Sequence, residues 1–202
     1  DALRGQGTYS RILQGLDLFK KAGLAGLSIN TVVTRTNYPE IEALLELANF
    51  YGVKIRLSRF RPSGNAREIW HQYRLTEEQL VGLAQFLDRH NEVMTGDSFF
   101  SITGEQRRAL GLNMCGAARM TCSVLSDGTV YPCAFLRSEE FKAGNIVKDG
   151  LGEIWRNSPV FLRLRSLRVE ACEGCNRYSL CNGGCPAVAH FLFKSLGHPD
   201  PE

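Results

Sequence analysis

The chain has 202 residues, 44% of them hydrophobic, with 24 basic and 21 acidic side chains and a net charge of +3. That length supports a real core without disulfide staples, and the scattered Lys and Arg lack the clustered stripe of a nucleic-acid binder. No apolar run approaches the roughly 18 residues of a membrane span, so neither nucleic acid nor a membrane is expected as a partner.

In chain order, Gly5-x-Gly7 precedes a helical period of Ile12, Leu16 and Phe19, which Gly23 stops. Residues 27–34, LSINTVVT, are rich in β-branched side chains and read as a buried strand. Asn37, three residues before Glu40, is expected to cap the next helix in the manner of a capping box. Ile41, Leu44, Leu45 and Ala48 form that helix's buried face, and Gly52 ends it. Residues 53–59, VKIRLSR, read as a second strand, broken by Pro62-Ser63-Gly64. This rhythm argues for a parallel sheet with crossover helices. In such sheets functional groups gather at the carboxyl ends of the strands, here Thr34, Arg35 and Asn37, and Arg59 and Arg61. The plainer reading of any one of them is a solvated strand end. Residues 65–75 read as a polar connection containing Trp70. Thr76 and Gln79 then make a capping box for a structural helix with the stripe Leu80, Leu83, Ala84 and Leu87. The run TGDSFF from Thr95 to Phe100, which carries no chemistry of its own, and a basic stretch through Arg107 and Arg108 complete the first half.

All seven cysteines lie in the second half: Cys115, Cys122, Cys133, Cys172, Cys175, Cys181 and Cys185. A disulfide framework suits small secreted domains, and an odd count leaves one thiol over. Structural zinc usually joins two C-x2–4-C knuckles across a longer loop, whereas here the second pair follows the first after only five residues. Iron–sulfur ligation is the third reading. Cys172 to Cys185 reads C-x2-C-x5-C-x3-C and runs straight into Pro186. Bacterial ferredoxins end their cysteine run in C-x3-C-P, and the last cysteine there ligates the other cluster. By that analogy Cys172, Cys175 and Cys181 grip one cluster and Cys185 crosses to a second.

Residues 122–133, CSVLSDGTVYPC, supply the partners. A two-residue Asp127-Gly128 turn sets Ser126 opposite Thr129, Leu125 opposite Val130, and Cys122 opposite Cys133. Opposed residues hold their Cβ atoms about 4.5–5.5 Å apart, which suits ligation and equally a cross-strand disulfide or two buried thiols. The ligation reading assigns Cys115, Cys122, Cys133 and Cys185 to one cluster, and Cys172, Cys175 and Cys181, one ligand short, to another. Beyond the hairpin, residues 143–146 form a turn and short strand, and Leu151, Ile154 and Trp155 an amphipathic turn packed on the cysteine-rich part. Arg163, Arg165 and Arg168 are candidate partners for cluster charge, or more plainly a solvated face. Gly183-Gly184 is expected to let the backbone pass close to iron or sulfide. Thiols kept reduced for metal point to the cytoplasm.

These motifs carry a family resemblance. Cys115-x12-Gly128-x4-Cys133, then GNI from Gly144, EIW from Glu153 and C-x2-C-x5-C-x3-C resemble the SPASM extension of radical S-adenosylmethionine (SAM) enzymes. The first half is similar to the last part of that family's partial barrel: Arg4, Gly5 and Gly7 match an RG-x-G segment, Val32 to Asn37 a VVTR-x-N strand end, and Arg61 to Gly64 an RPSG segment. RPSG, the TGDSFF run, Cys115 to Arg119 and the DPE ending together resemble the mycofactocin branch of the family.

The resemblance implies an α/β fold: the last strands and helices of a radical SAM partial (β/α) barrel at 1–66, connecting helices and a linker at 67–112, and a small cysteine-rich α+β SPASM domain at 113–202. It implies two auxiliary [4Fe-4S] clusters here, and S-adenosylmethionine with a third [4Fe-4S] cluster in the intact enzyme. Asn30 and Thr34 are the implied cofactor contacts; a buried, satisfied Asn is the plainer reading of Asn30. The family's C-x3-C-x2-C motif is absent from the chain, so the chain is expected to be a fragment, with that motif upstream and an eighth ligand Cys just beyond Glu202. His190 and His198 are the weaker substitutes for that ligand. The implied activity is peptide maturation, of mycofactocin type: oxidative decarboxylation of a C-terminal Tyr and its carbon–carbon crosslinking to Val. A precursor peptide, a small peptide-recognition protein and an electron donor are the implied partners. The rivals are another SPASM maturase, of the pyrroloquinoline quinone peptide or sulfatase-activating type, and a non-catalytic zinc-binding module.

Overall fold

A computed structural model describes residues 3–95, 115–176 and 178–201. Residues 96–100 of the TGDSFF run, Arg107 and Arg108, lie outside the described residues. Two apolar cores organise the rest, one drawn from residues 29–93 and the other from residues 115–196.

The first core underlies a three-stranded parallel sheet. Helix α1 (Thr8–Lys21) leads to β1 (Ser28–Val33), α2 (Ile41–Tyr51) to β2 (Lys54–Arg59), and α3 (Ala66–Tyr73) and α4 (Glu77–Arg89) to β3 (Met94–Thr95), in the order β1-β2-β3. Alternation along β2 puts Ile55, Leu57 and Arg59 inside. There Ile55 and Leu57 meet Ile41, Leu45 and Ala48 of α2 and Leu83, Phe86 and Leu87 of α4. The capping box forms as expected: Gln79 N–H donates to Thr76 Oγ1 at 3.2 Å, and the Gln79 side chain accepts from Thr76 N–H at 3.1 Å.

Four local expectations are corrected. β1 is half-exposed, only Val33 being fully buried, because among the described residues it lies at the edge of the sheet. Asn37 makes no cap to the next helix. Its side chain instead accepts from Thr34 N–H at 2.7 Å and donates to the Val32 carbonyl at 2.9 Å, tying the strand end, while a 3₁₀ turn at Tyr38–Glu40 leads into α2. Residues 65–75 hold a helix, α3, rather than a connection, since Trp70 is buried and its indole N–H reaches the Phe60 carbonyl at 3.1 Å. Of the α1 stripe only Leu16 is buried; Ile12 and Phe19 are exposed.

The second core joins a small antiparallel sheet to short helices. Strands β4 (Ser123–Val124), β5 (Thr129–Tyr131) and β6 (Gly144–Asn145) are followed by α5 (Ile146–Asp149), α6 (Leu151–Asn157), α7 (Pro159–Arg165), α8 (Tyr178–Cys181) and α9 (Pro186–Phe193). Trp155 sits edge-on to Phe161 against this core, as its helical spacing predicts. Among the described residues no helix is long and apolar enough to cross a membrane.

The two cores are stitched by residues at and just past the end of β2. Arg59 donates to both oxygens of Asp200, at 2.8 and 3.0 Å, with both side chains almost wholly buried. Arg61 lays its guanidinium 4.2 Å from the centre of the Phe135 ring.

Candidate iron–sulfur site

The hairpin forms, but one residue out of the expected register. Ser123 pairs with Tyr131 and Val124 with Val130, so Cys122 falls opposite Pro132 rather than Cys133. The reason is a three-residue loop. Leu125 N–H donates to the Thr129 carbonyl, Gly128 N–H to the Leu125 carbonyl, and Gly128 takes φ +83° as the left-handed residue of a bulged turn. The Asp127 carboxylate fixes that loop by accepting from Thr129 N–H at 2.9 Å. This bond, with the others Asp127 makes there, holds its carboxyl below the usual range.

Cys122 and Cys133 nevertheless reach one place. The Cys115-to-Cys122 segment folds back on itself, with Met120 and Thr121 N–H both donating to the Gly116 carbonyl, and Ala118 N–H bonds to the Pro132 carbonyl. Arg165 clamps this loop, donating to the Ala118 carbonyl at 2.7 Å while stacking on Trp155 and Phe161. Arg165 is therefore a packing residue, and Arg163 and Arg168 are exposed.

Cys185 arrives from the other direction. After Cys181 the chain passes through three successive left-handed residues, Asn182, Gly183 and Gly184, with φ of 49°, 84° and 86°. This reversal carries Cys185 away from the preceding cysteines and seats it ahead of Pro186, at the N-terminus of α9. The close approach of the two glycines is to protein: an added Cβ would meet Val169 at Gly183 and Asp200 at Gly184. Asp200 also accepts from Cys185 N–H at 2.9 Å, so one carboxylate ties Cys185 to β2 through Arg59. The sequence gives no local sign of this pairing.

Cys115, Cys122, Cys133 and Cys185 all line one cavity of about 250 Å³, and Cys185 is buried. Arg61, Phe135, Leu136 and Pro186 complete much of its wall. Burial pushes the Cys122 thiol up. It pushes Cys133 up as well, against the downward pull of the Phe135 and Leu136 N–H groups, while the neighbouring Cys185 adds to the rise and Arg61 opposes it. The donor set is all sulfur, the choice of soft metals, zinc and iron–sulfur clusters. Among the described residues no three His, Cys, Asp or Glu side chains converge closely enough to hold a single ion.

Cys172, Cys175 and Cys181 do not line that cavity. They neighbour one another: burial raises the Cys172 thiol, and charge on Cys181 and then Cys175 adds to it. Cys175 N–H bonds to the Cys172 carbonyl, Tyr178 N–H to the Cys175 carbonyl, and the Tyr178 hydroxyl accepts from Val169 N–H. The two candidate substitute ligands are engaged with other groups. His190 lies 3.1 Å from Glu140 and edge-on to Phe141, and His198 stacks on Phe193.

Asn30 is exposed, which removes the buried-Asn reading, and its Oδ1 accepts from Ser58 Oγ across the sheet at 2.8 Å. Thr34 is buried at the strand end, its hydroxyl 3.0 Å from that of Thr36. A larger cleft of about 680 Å³ runs between Ser63, Gly64 and Arg67 on one side and Phe135, Phe141 and Phe191 on the other.

The model of SPASM, an iron–sulfur cluster-binding domain, matches residues 115–185. Over its whole length the chain is 39% identical to the mycofactocin maturase MftC of Mycobacterium ulcerans, covering 56% of that protein. It is 27% identical to an AdoMet-dependent heme synthase of Oleidesulfovibrio alaskensis, covering 93% of this chain and 53% of that one. The chain thus spans about half the length of the curated relatives it matches. Its fold resembles that of Streptococcus suis SuiB, solved with S-adenosylmethionine bound, at a TM-score of 0.62 and 17% identity over 94% of this chain and 47% of that one. Residues 115–185 accordingly match an iron–sulfur cluster-binding domain, and the chain as a whole is similar to mycofactocin maturases.

Proposed function

We propose that the chain is the part of a radical SAM peptide maturase that holds two auxiliary [4Fe-4S] clusters. One is bound by Cys115, Cys122, Cys133 and Cys185, the other by Cys172, Cys175 and Cys181 with one further ligand. The single observation that carries this reading is the convergence of four cysteines, from three separate segments, on one cavity of about 250 Å³. Four thiols spread around a space that size suit a body of several atoms better than one ion. The three-stranded sheet is read as the end of a partial (β/α) barrel at 1–66, joined through 67–112 to the cysteine-rich part at 113–202. On that reading Asn30 and Thr34 face the cofactor.

When bound, S-adenosylmethionine and its catalytic cluster supply hydrogen abstraction from a peptide, and the auxiliary clusters supply uptake of the electron left behind. The chain's own residues hold and shield. Cys185 places its sulfur at the positive end of α9, Phe135 and Leu136 N–H groups point at the Cys133 sulfur, and Asp200 holds the Cys185 backbone. The 39% identity over the whole chain favours the mycofactocin reaction, with its precursor peptide, a small recognition protein and an electron donor, in the cytoplasm. The 27% match to a heme synthase favours a second reading, action on a tetrapyrrole.

Metal analysis of the anaerobically purified full-length protein tests the proposal. About eight iron and eight sulfide beyond the catalytic cluster are expected, falling by about half in Cys133→Ser. Zinc without sulfide would end it. Turnover of a precursor peptide, and none of a porphyrin, separates the two substrate readings.

A further inference from the structure

The four-cysteine cavity has one residue in its wall that the cluster-binding role leaves unused. Among the described residues that line it, Arg61 is the only Arg, Lys, His, Asp or Glu. It comes from the other core, two residues beyond β2, and is 9% exposed. Pro62 sets its backbone, since a residue before proline is confined to extended conformations, and Ser63 N–H folds back onto the Arg61 carbonyl at 2.8 Å. Its guanidinium lies against Phe135, which also lines the cavity. A guanidinium keeps its charge at every accessible pH, so this wall carries a permanent cation facing thiols that must be anionic to bind iron.

We propose that Arg61 is the fixed counter-charge of this site, stabilising the reduced, more negative state of the cluster and thereby setting the potential at which it takes up an electron. The proposal rests on the cluster reading above. Net charge around a cluster is one of the levers on its potential. The others are the cluster type, hydrogen bonds to the sulfurs and solvent exposure, none of which an Arg61 substitution is aimed at. In the step to be measured, one electron from dithionite reduces the cluster and no bond is made or broken. Arg61 is a positioning residue in this sense and is not assigned any contact with substrate.

The test is a potentiometric titration of the full-length protein, followed by electron paramagnetic resonance. The couple to monitor is the one that disappears in Cys133→Ser. In Arg61→Gln the reduced-to-oxidised ratio at a fixed potential is expected to fall at least tenfold, a midpoint lower by about 59 mV for one electron. Arg61→Lys, which keeps the charge, is expected to shift by less than half of that. An unchanged midpoint in Arg61→Gln overturns the proposal, as does an equal shift in Arg61→Lys. Should Arg61→Gln fail to hold iron, retention in Arg61→Lys upholds the need for charge, and loss in both makes Arg61 a packing residue and ends the proposal. Wild-type protein without sulfide is a different result, because it ends the cluster reading itself.

Discussion

The joint between the two cores is the Arg59–Asp200 pair, and its removal is the sharpest test of how the site is held. The Arg59 side chain is 4% exposed and that of Asp200 1%, and the carboxylate accepts two N–H bonds from Arg59 and one from the Cys185 backbone. Asp200→Ala leaves a buried guanidinium and a buried amide without that acceptor. Removing one partner of a buried ion pair costs about 3–5 kcal/mol, and an orphaned buried amide about 1–3 kcal/mol, which puts the loss near the upper end of the first range. For a chain of this size each kcal/mol moves the melting temperature by about 2–4 °C, so a fall of roughly 6–20 °C is expected. Circular dichroism melts and urea titration measure it. The double variant Arg59→Met/Asp200→Leu is expected to recover most of the loss, because two apolar groups bury without the penalty carried by a buried charge that has lost its Asp200 partner. A loss below about 1 kcal/mol, the range of exposed pairs, or full additivity of the two single changes, would refute the reasoning.

Further predictions concern the hairpin and the capped helix. Gly128→Val is expected to cost about 1–2 kcal/mol for the left-handed conformation alone, with more from its Cβ lying 2.9 Å from Asn145 Oδ1; denaturant titration measures it. Thr76→Ala removes the capping-box acceptor of α4 and is expected to cost about 1 kcal/mol, whereas Thr76→Ser retains it. The Asp127 carboxyl is held below its ordinary value of 3.8. Its stabilisation of the turn is therefore complete above that pH and is lost as pH falls through the lower folded value. Thr129 amide exchange between about pH 2 and 6 is expected to show this loss, and Asp127→Asn to abolish it.

Part of the site is legible in the chain. The spacing of Cys172 to Cys185, and the C-x3-C-P ending in particular, sets Cys185 apart from its three neighbours, and the structure puts it with Cys115, Cys122 and Cys133. The capping box at Thr76 and Gln79 is also readable because its contacts lie within three residues, and the two strands at 28–33 and 54–59 because their local composition favours extended backbone, although they pair with each other across 26 residues. The hairpin register is not. Asp127-Gly128 is compatible with a two-residue turn and with a three-residue bulged one, and the choice is made by the Asn145 and Thr129 contacts that surround the loop. Asn37 is ambiguous for a similar reason, since the same side chain serves a helix cap or a strand end and only the position of Val32 decides.

Sequence by itself determined where the candidate groups lie along the chain: thiols at ligand spacing, glycines at reversals, and polar groups at strand ends. Tertiary structure alone decided which of them meet. The Arg59–Asp200 pair spans 141 residues, and Arg61 reaches the cysteine cavity from a different core. Local pattern reports backbone preference over a turn or two, whereas a buried ion pair or a ring of thiols is defined only once distant segments have excluded water around it.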